Sequence, residues 1–362
     1  MKYIINQEND TPAYLQLYKQ IRDDITSGTF EYNSKLPSKR MIAEETGVST
    51  VTVEHAYALL ADEGYIEPIE RSGYFVIFRP NDGFASAAEP QKHHAAKPQS
   101  HHSVATEFPF SVFTKTMRSV MNEYSDTILE KSPSFGRSEL RSAIKNYLAR
   151  SRGIYADERQ IIIGSGSEYL YSLIVELFER KKTYAIESPS YKKIEQVYLA
   201  SNVIYEMLPL GNDGIDSASL WKTNADILHI SPYRSFPSGV SASASKRHEY
   251  LSWAEKGRRY LIEDDFESEF SVSKKPEETL FSHTRSDNVI YMNTFSKTIS
   301  PSLRVGYMVL PSHLTDEFEN KLGFHSCTVP TFIQFVLAEI INNGDFERHI
   351  NRVRRKKRKE TK

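Results

Sequence analysis

Between Arg79 and about His102 the chain runs RPNDGFASAAEPQKHHAAKPQSHH, a stretch poor in large apolar residues and rich in Ala, Pro, Ser and His. Such a composition makes a linker rather than a packed element, so whatever folds on either side must build its own core. This break predicts a head of residues 1–78, a flexible linker of 79–107 and a body of 108–362. A length of 362 residues suits two or three domains. The pairs His93-His94 and His101-His102 lack a Cys or carboxylate at ligand spacing and read as solvated linker residues, not metal ligands.

Composition narrows the partners. With 46 basic and 47 acidic residues the net charge is −1, so global charge gives no argument for binding nucleic acid or membrane, and any DNA contact must be local. Cys327 is the single cysteine, which excludes an intramolecular disulfide and fits a reducing compartment. Met1 to Asp10 has no apolar segment of signal-peptide type, and no stretch approaches the ~18 apolar residues of a membrane span. The sequence reads as a soluble, cytoplasmic protein without membrane contact. The run from Arg352 to Lys362, dominated by Lys and Arg, reads as a solvated helix face or frayed tail, with a nucleic-acid arm as the alternative.

In the head, Tyr14, Leu17, Tyr18, Ile21 and Ile25 fall on one helical face that ends near Gly28. Ser38 then serves as an N-cap for a short helix that must stop at Gly47. Ser49 caps the next helix, with Val53, Ala56, Tyr57 and Leu60 as its apolar stripe. Two short helices around a Gly-containing turn are a helix-turn-helix. Tyr65 to Ile69, Arg71-Ser72-Gly73 and Tyr74 to Val76 read as a β-hairpin, the wing. With its Leu36-Pro37-Ser38, Arg40, Gly47-Val48-Ser49, Glu63-Gly64-Tyr65-Ile66 and glycine-tipped hairpin, the head resembles the GntR family of winged-helix regulators over about 65 residues. The resemblance implies contacts to double-stranded DNA of a promoter operator from Ser38, Arg40, Ser49, Thr50, Thr52, His55 and Arg71, since helix N-termini and short polar side chains suit the groove and its phosphates. The family often carries Arg where Thr50 stands, which leaves Arg40 and Arg71 to carry more of the affinity.

The body alternates apolar β-type runs with helical stretches, the pattern of an α/β domain on a mostly parallel sheet. Four stations stand out. Ile161-Ile162-Ile163 leads through Gly164-Ser165-Gly166-Ser167-Glu168 into a helix beginning near Tyr169, a turn that offers amides to a phosphate or is an ordinary strand-to-helix turn. Ala185 to Tyr191 puts Tyr191 just past a strand end, for ring stacking or simple packing. Tyr260-Leu261-Ile262 ends in the acids Glu263, Asp264, Asp265, Glu267 and Glu269, which could bind metal or pair with a protonated pyridine nitrogen. Val289 to Tyr307 sets Lys297 among Thr294, Ser296, Thr298 and Ser300, with Arg304 seven residues on; such a lysine can form an imine with an aldehyde while its neighbours hold a phosphate.

Together these stations resemble fold-type-I pyridoxal-phosphate enzymes, and joined to the winged helix they resemble the MocR subgroup of GntR regulators. The resemblance implies an α+β winged helix-turn-helix domain followed by an α/β aminotransferase-like domain that binds pyridoxal 5′-phosphate. It implies Lys297 as the imine lysine, Asp264 as the pyridine-nitrogen partner and Tyr191 as the stacking aromatic. Gly166, Ser167, Thr294, Ser296 and Arg304 become phosphate or ligand contacts, and Ser231 to Gly239 a loop covering the ring. It further implies a homodimeric transcription regulator that senses the cofactor or an amino-acid effector, with no catalytic residue and no metal.

Three departures qualify the expectation. Phe266 stands where the family usually has a Tyr whose hydroxyl reaches the cofactor. Arg234-Ser235 replaces His-Gln in the covering loop. The sequence ends where the family continues into a small domain that supplies a carboxylate-binding arginine, so the chain reads as truncated, with an exposed edge. A pyridoxal-phosphate-dependent aminotransferase and a degenerate regulator that binds DNA without cofactor stay open as alternatives.

Overall fold

A computed structural model describes residues 3–6, 11–79, 108–266, 268–271 and 278–360. These fall into two compact units divided between Gln99 and Ser100. Most of the expected linker, its histidine pairs and Glu267 lie outside the described residues. Among the described residues no helix is long and apolar enough to cross a membrane.

The first unit holds α1 (Ala13–Thr26), α2 (Lys39–Thr46), α3 (Thr50–Asp62) and the antiparallel hairpin β1 (Ile66–Ile69) and β2 (Gly73–Val76). Local chemistry fixes each boundary. Ser38 Oγ accepts from the Met41 amide at 3.3 Å, Gly47 ends α2 in the left-handed conformation, and Ser49 Oγ accepts from the Thr52 amide at 3.1 Å. Leu17, Ile21, Ile25, Ile42, Val53, Ala56, Tyr57, Leu60, Ile66 and Val76 close one core. The Tyr57 hydroxyl donates to the Pro37 carbonyl at 2.7 Å and its ring meets Tyr74 edge-on, which ties α3 to the start of α2 and to the wing.

The second unit begins with α4 (Phe110–Tyr124) and α5 (Ser138–Arg152). The chain then alternates through β3 (Ile161–Gly164), α6 (Ser167–Leu177), β4 (Tyr184–Ser188), α7 (Lys192–Ala200), β5 (Tyr205–Gly211), β6 (Gly214–Ile215), α8 (Ser217–Lys222), β7 (Ile227–Ile230), α9 (Ala244–Gly257), β8 (Tyr260–Asp264), α10 (Leu280–His283) and β9 (Val289–Thr294). It closes with β10 (Gly306–Val309), α11 (Leu314–Leu322), α12 (Thr331–Asn342) and α13 (Asp345–Glu360). The strands form one sheet in the order β3-β10-β9-β8-β7-β4-β5-β6. It is parallel from β5 to β9, and β10 runs antiparallel between β9 and β3.

Both faces are covered, as near-continuous apolar strands require. Ile161, Ile163, Tyr291, Tyr307 and Val309 face one core with helix residues such as Leu140, Phe335 and Phe346, while the alternating Ile162, Ile290, Met292 and Met308 face another with Leu170, Ile174 and Phe318. The register has a direct consequence for function. Gly306 pairs with Gly164 on one side and with Thr294 on the other, so the carboxyl ends of β3 and β9 reach the same level, beside that of β8. In an open α/β sheet that rim is where ligands bind.

Candidate functional site

One cavity of about 260 Å³ opens at this rim, lined by Ser167, Glu168, Tyr171, Tyr191, Lys193, Phe236, Asp264, Phe266, Thr294, Ser296, Lys297 and Arg304. Seven of the eight residues expected from sequence to hold a cofactor line it, and the eighth, Gly166, stands directly behind Arg304. Gly166 has φ +92°, and a Cβ there would sit 3.0 Å from an Arg304 guanidinium nitrogen. Only glycine allows both that backbone and that approach. α6 starts at Ser167, two residues before the expected Tyr169, so its first-turn amides border the cavity and carry the positive end of the helix dipole.

The hydroxyl end is held by the turn after β9. Thr294 Oγ1 lies 3.0 Å from Ser296 Oγ, donates to the Val305 carbonyl at 3.0 Å, and accepts from the Ser296 amide at 3.1 Å. Lys297 follows at the next residue, its Nζ 4.3 Å above the Phe266 ring centroid. Phe266 thus supplies a π face where a hydroxyl was expected in the wider family. Tyr191 caps the start of α7 and meets Phe236 of the 231–239 loop edge-on, with ring centroids 5.9 Å apart.

Asp264 ends β8 and is buried. The Tyr171 hydroxyl donates to its Oδ2. His229 Nε2 lies 3.7 Å from the same oxygen, while the other ring nitrogen, Nδ1, bonds the Tyr198 hydroxyl at 2.7 Å. A carboxylate supported this way stays fixed and keeps acceptor capacity for a donor in the cavity.

The acids at the end of β8 and just after it part company in space. Glu263 receives the Tyr233 hydroxyl and the Leu280 and Phe281 amides. Asp265 and Glu269 flank the buried Arg152 guanidinium at 3.2 and 3.5 Å. Among the described residues no cluster of His, Cys, Asp or Glu is arranged to hold a metal.

Sequence reasoning did not single out Glu168, Tyr171 or Lys193 as cavity residues, and it had Phe236 only as part of the 231–239 covering loop. Glu168 matters most: its Oε2 pairs with an Arg304 nitrogen at 2.6 Å and its Oε1 with Lys193. Partial burial alone would raise its pKa, but the bonds from Lys193 and Arg304 bring it down to about 2, so it is a carboxylate at neutral pH. An acid in the first turn of a helix is ordinary in sequence, and nothing local marks it as lining a site.

In the head, Ser38 and Arg40 stand at the start of α2, Ser49 caps α3, Thr50 and Thr52 lie in its first turn and His55 in its second. Ser49 and Thr52 are bonded to each other at 2.8 Å, His55 meets the Tyr14 ring edge-on, and Arg71, almost fully exposed, occupies the wing tip in the left-handed conformation.

Comparison with known proteins agrees with both units. Residues 13–76 match the family described as bacterial regulatory proteins, gntR family, and residues 105–361 match aminotransferase class I and II. The chain is 32% identical to the HTH-type transcriptional regulator YdeL of Bacillus subtilis, over 98% of this chain and 79% of that protein. It is 27% identical to the probable rhizopine catabolism regulatory protein MocR of Rhizobium meliloti (97% and 76%). It is 26% identical to the pyridoxine biosynthesis regulator PdxR of Corynebacterium glutamicum (97% and 78%). Among solved structures, the kynurenine aminotransferase of Pyrococcus horikoshii superposes with a TM-score of 0.63 at 25% identity, covering 69% of this chain; the chain spans 65% of that enzyme's length. With a gntR head, an aminotransferase class I and II body and relatives that match it almost end to end, the chain belongs to the MocR-type branch of the GntR family of bacterial regulators.

Proposed function

We propose that this protein is a cytoplasmic transcription regulator that binds operator DNA through its winged helix and senses pyridoxal 5′-phosphate, or an amino acid reacting with it, in its aminotransferase-like body. One observation carries the reading: a single cavity gathers an amine, a buried carboxylate, hydroxyls, a guanidinium and the start of a helix from stations spread over some 140 residues of sequence. The donor set fits the cofactor, and the glycine at 166 leaves the Arg304 head group the space a side chain would take.

When bound, the cofactor supplies an aldehyde that condenses with an amine and a ring nitrogen that carries a proton. Lys297 would furnish the amine. Asp264, held by Tyr171, would accept the hydrogen bond from the ring nitrogen and keep it protonated. Ser167, Thr294, Ser296 and Arg304, with the first-turn amides of α6, would hold the phosphate. Tyr191 and Phe236 would exclude water from the ring. A homodimer would present two heads to two half-sites. In each, Ser38, Arg40, Ser49, Thr50, Thr52, His55 and Arg71 would meet the duplex. Ligand can alter DNA binding only through unequal affinity for two states of the chain.

The test is a titration of the full chain with a fragment of its own promoter, with and without pyridoxal phosphate, beside Lys297→Ala. The reading expects saturable DNA binding whose affinity shifts about 5- to 150-fold with the cofactor, the usual range of coupling between sites, and no shift in Lys297→Ala. DNA binding indifferent to the cofactor in the wild type would refute the sensor half. Absence of specific binding would refute the head.

A further inference from the structure

The outward face of α3 has an unusual charge pattern for a helix meant to enter DNA. Its exposed residues, Thr50, Val51, Glu54, His55, Ala58 and Asp62, make one stripe opposite the buried Val53, Ala56, Tyr57 and Leu60. The helix contains no Lys or Arg, so it has no fork-shaped donor for guanine. Asp62 is its last residue; the carboxylate in its N-terminal half is Glu54, with 56% of its side chain exposed, and Lys39 of α2 bonds it at 2.7 Å. Val51, 57% exposed, stands one turn before it.

An acid facing a polyanion is repelled unless it gains something specific. The major groove offers a carboxylate acceptor one partner that fits, the exocyclic amine of cytosine, and offers an exposed aliphatic group the methyl of thymine. Lys39 offsets the repulsion locally. From Val51 to Glu54 the helix rises about 4.5 Å, against ~3.4 Å between base pairs, so the two side chains are spaced to reach neighbouring pairs. We infer that Glu54 reads a cytosine in each half-site, with Val51 against a thymine beside it, and that the Lys39–Glu54 pair holds the reading carboxylate in position. This rests on the reading of the head as a DNA-binding unit and names what that unit recognises.

The experiment is selection from random duplexes by the full chain, as wild type, Glu54→Gln, Glu54→Ala and Lys39→Ala, with thermal melting to verify that each is folded. Wild type is expected to select a C·G pair at one position per half-site. Glu54→Gln should move that position towards adenine, which a side-chain amide suits, and Glu54→Ala should lose preference there alone. On the selected duplex, exchanging that C·G pair for T·A should weaken wild-type binding about 5- to 150-fold and Glu54→Ala binding hardly at all. Lys39→Ala should weaken binding to every sequence and also reduce the C·G preference at that position, because the reading carboxylate loses its support; an undiminished preference there would overturn the positioning role of Lys39. If Glu54→Ala keeps every base preference of the wild type, Glu54 is only a surface ion pair and the inference is overturned. If the wild type enriches no sequence, the head itself has been misread.

Discussion

Replacing Glu168 by Gln should tighten the binding of pyridoxal phosphate. Glu168 sits on the first turn of α6, where the phosphate is expected, and engages both Arg304 and Lys193. A dianion entering there meets a carboxylate that is already ionised and must draw Arg304 away from it. Two charges about 4 Å apart interact by about 1 kcal/mol in bulk water and about 4 kcal/mol at an effective dielectric of 20. Half of the Arg304 side chain is exposed, so the lower part of that range applies, and about 1–2 kcal/mol corresponds to affinity tighter by roughly 5- to 30-fold. The amide keeps the shape of the acid and can still bond its neighbours. The assay is a titration of cofactor-free protein with pyridoxal phosphate, followed by absorption, at low and high salt. The gain should shrink as salt screens the exposed charges. Equal or weaker binding by Glu168→Gln would mean that Glu168 positions Arg304 for the phosphate rather than competing for it.

Other outcomes follow from single contacts. Gly166→Ala should abolish cofactor binding while leaving DNA binding intact, because a methyl group at φ +92° displaces the Arg304 head group; parallel titrations check this. Arg152→Ala should destabilise the body by about 3–5 kcal/mol in urea unfolding, since it strands Asp265 and Glu269 without their buried cation. Burial raises the Glu187 carboxyl to about 7, above its unfolded value near 4.5, so the folded state binds the extra proton and stability falls as pH rises between those values. Glu187→Gln should therefore raise the urea midpoint at pH 8 and not at pH 5. Ser49→Ala should cost the head about 1 kcal/mol through loss of the α3 cap, read in the urea unfolding of the full chain.

The head was legible in sequence because its determinants are local. Ser38, Gly47 and Ser49 act on amides and backbone angles within three residues of themselves, and the helical stripe is a period that needs no partner to be recognised. In the body, the strands and the residues at their carboxyl ends were legible for the same reason. What sequence did not reveal are meetings between distant elements. The support of Asp264 by Tyr171, 93 positions away, and the pairing of Glu168 with Arg304, 136 positions away, exist only because β10 inserts antiparallel between β3 and β9 and brings their ends level. The acids after β8 illustrate the converse. Read as a cluster, they diverge: Glu263 and Asp264, successive residues of β8, point to opposite faces, while Asp265 and Glu269, beyond the strand, turn together to Arg152.

The most direct test treats the full chain with pyridoxal phosphate, reduces it with borohydride and maps the modified peptide by mass spectrometry. The account predicts one stoichiometric adduct on Lys297, lost in Lys297→Ala and weakened in Arg304→Ala. An adduct spread over surface lysines, or none at Lys297, would contradict it.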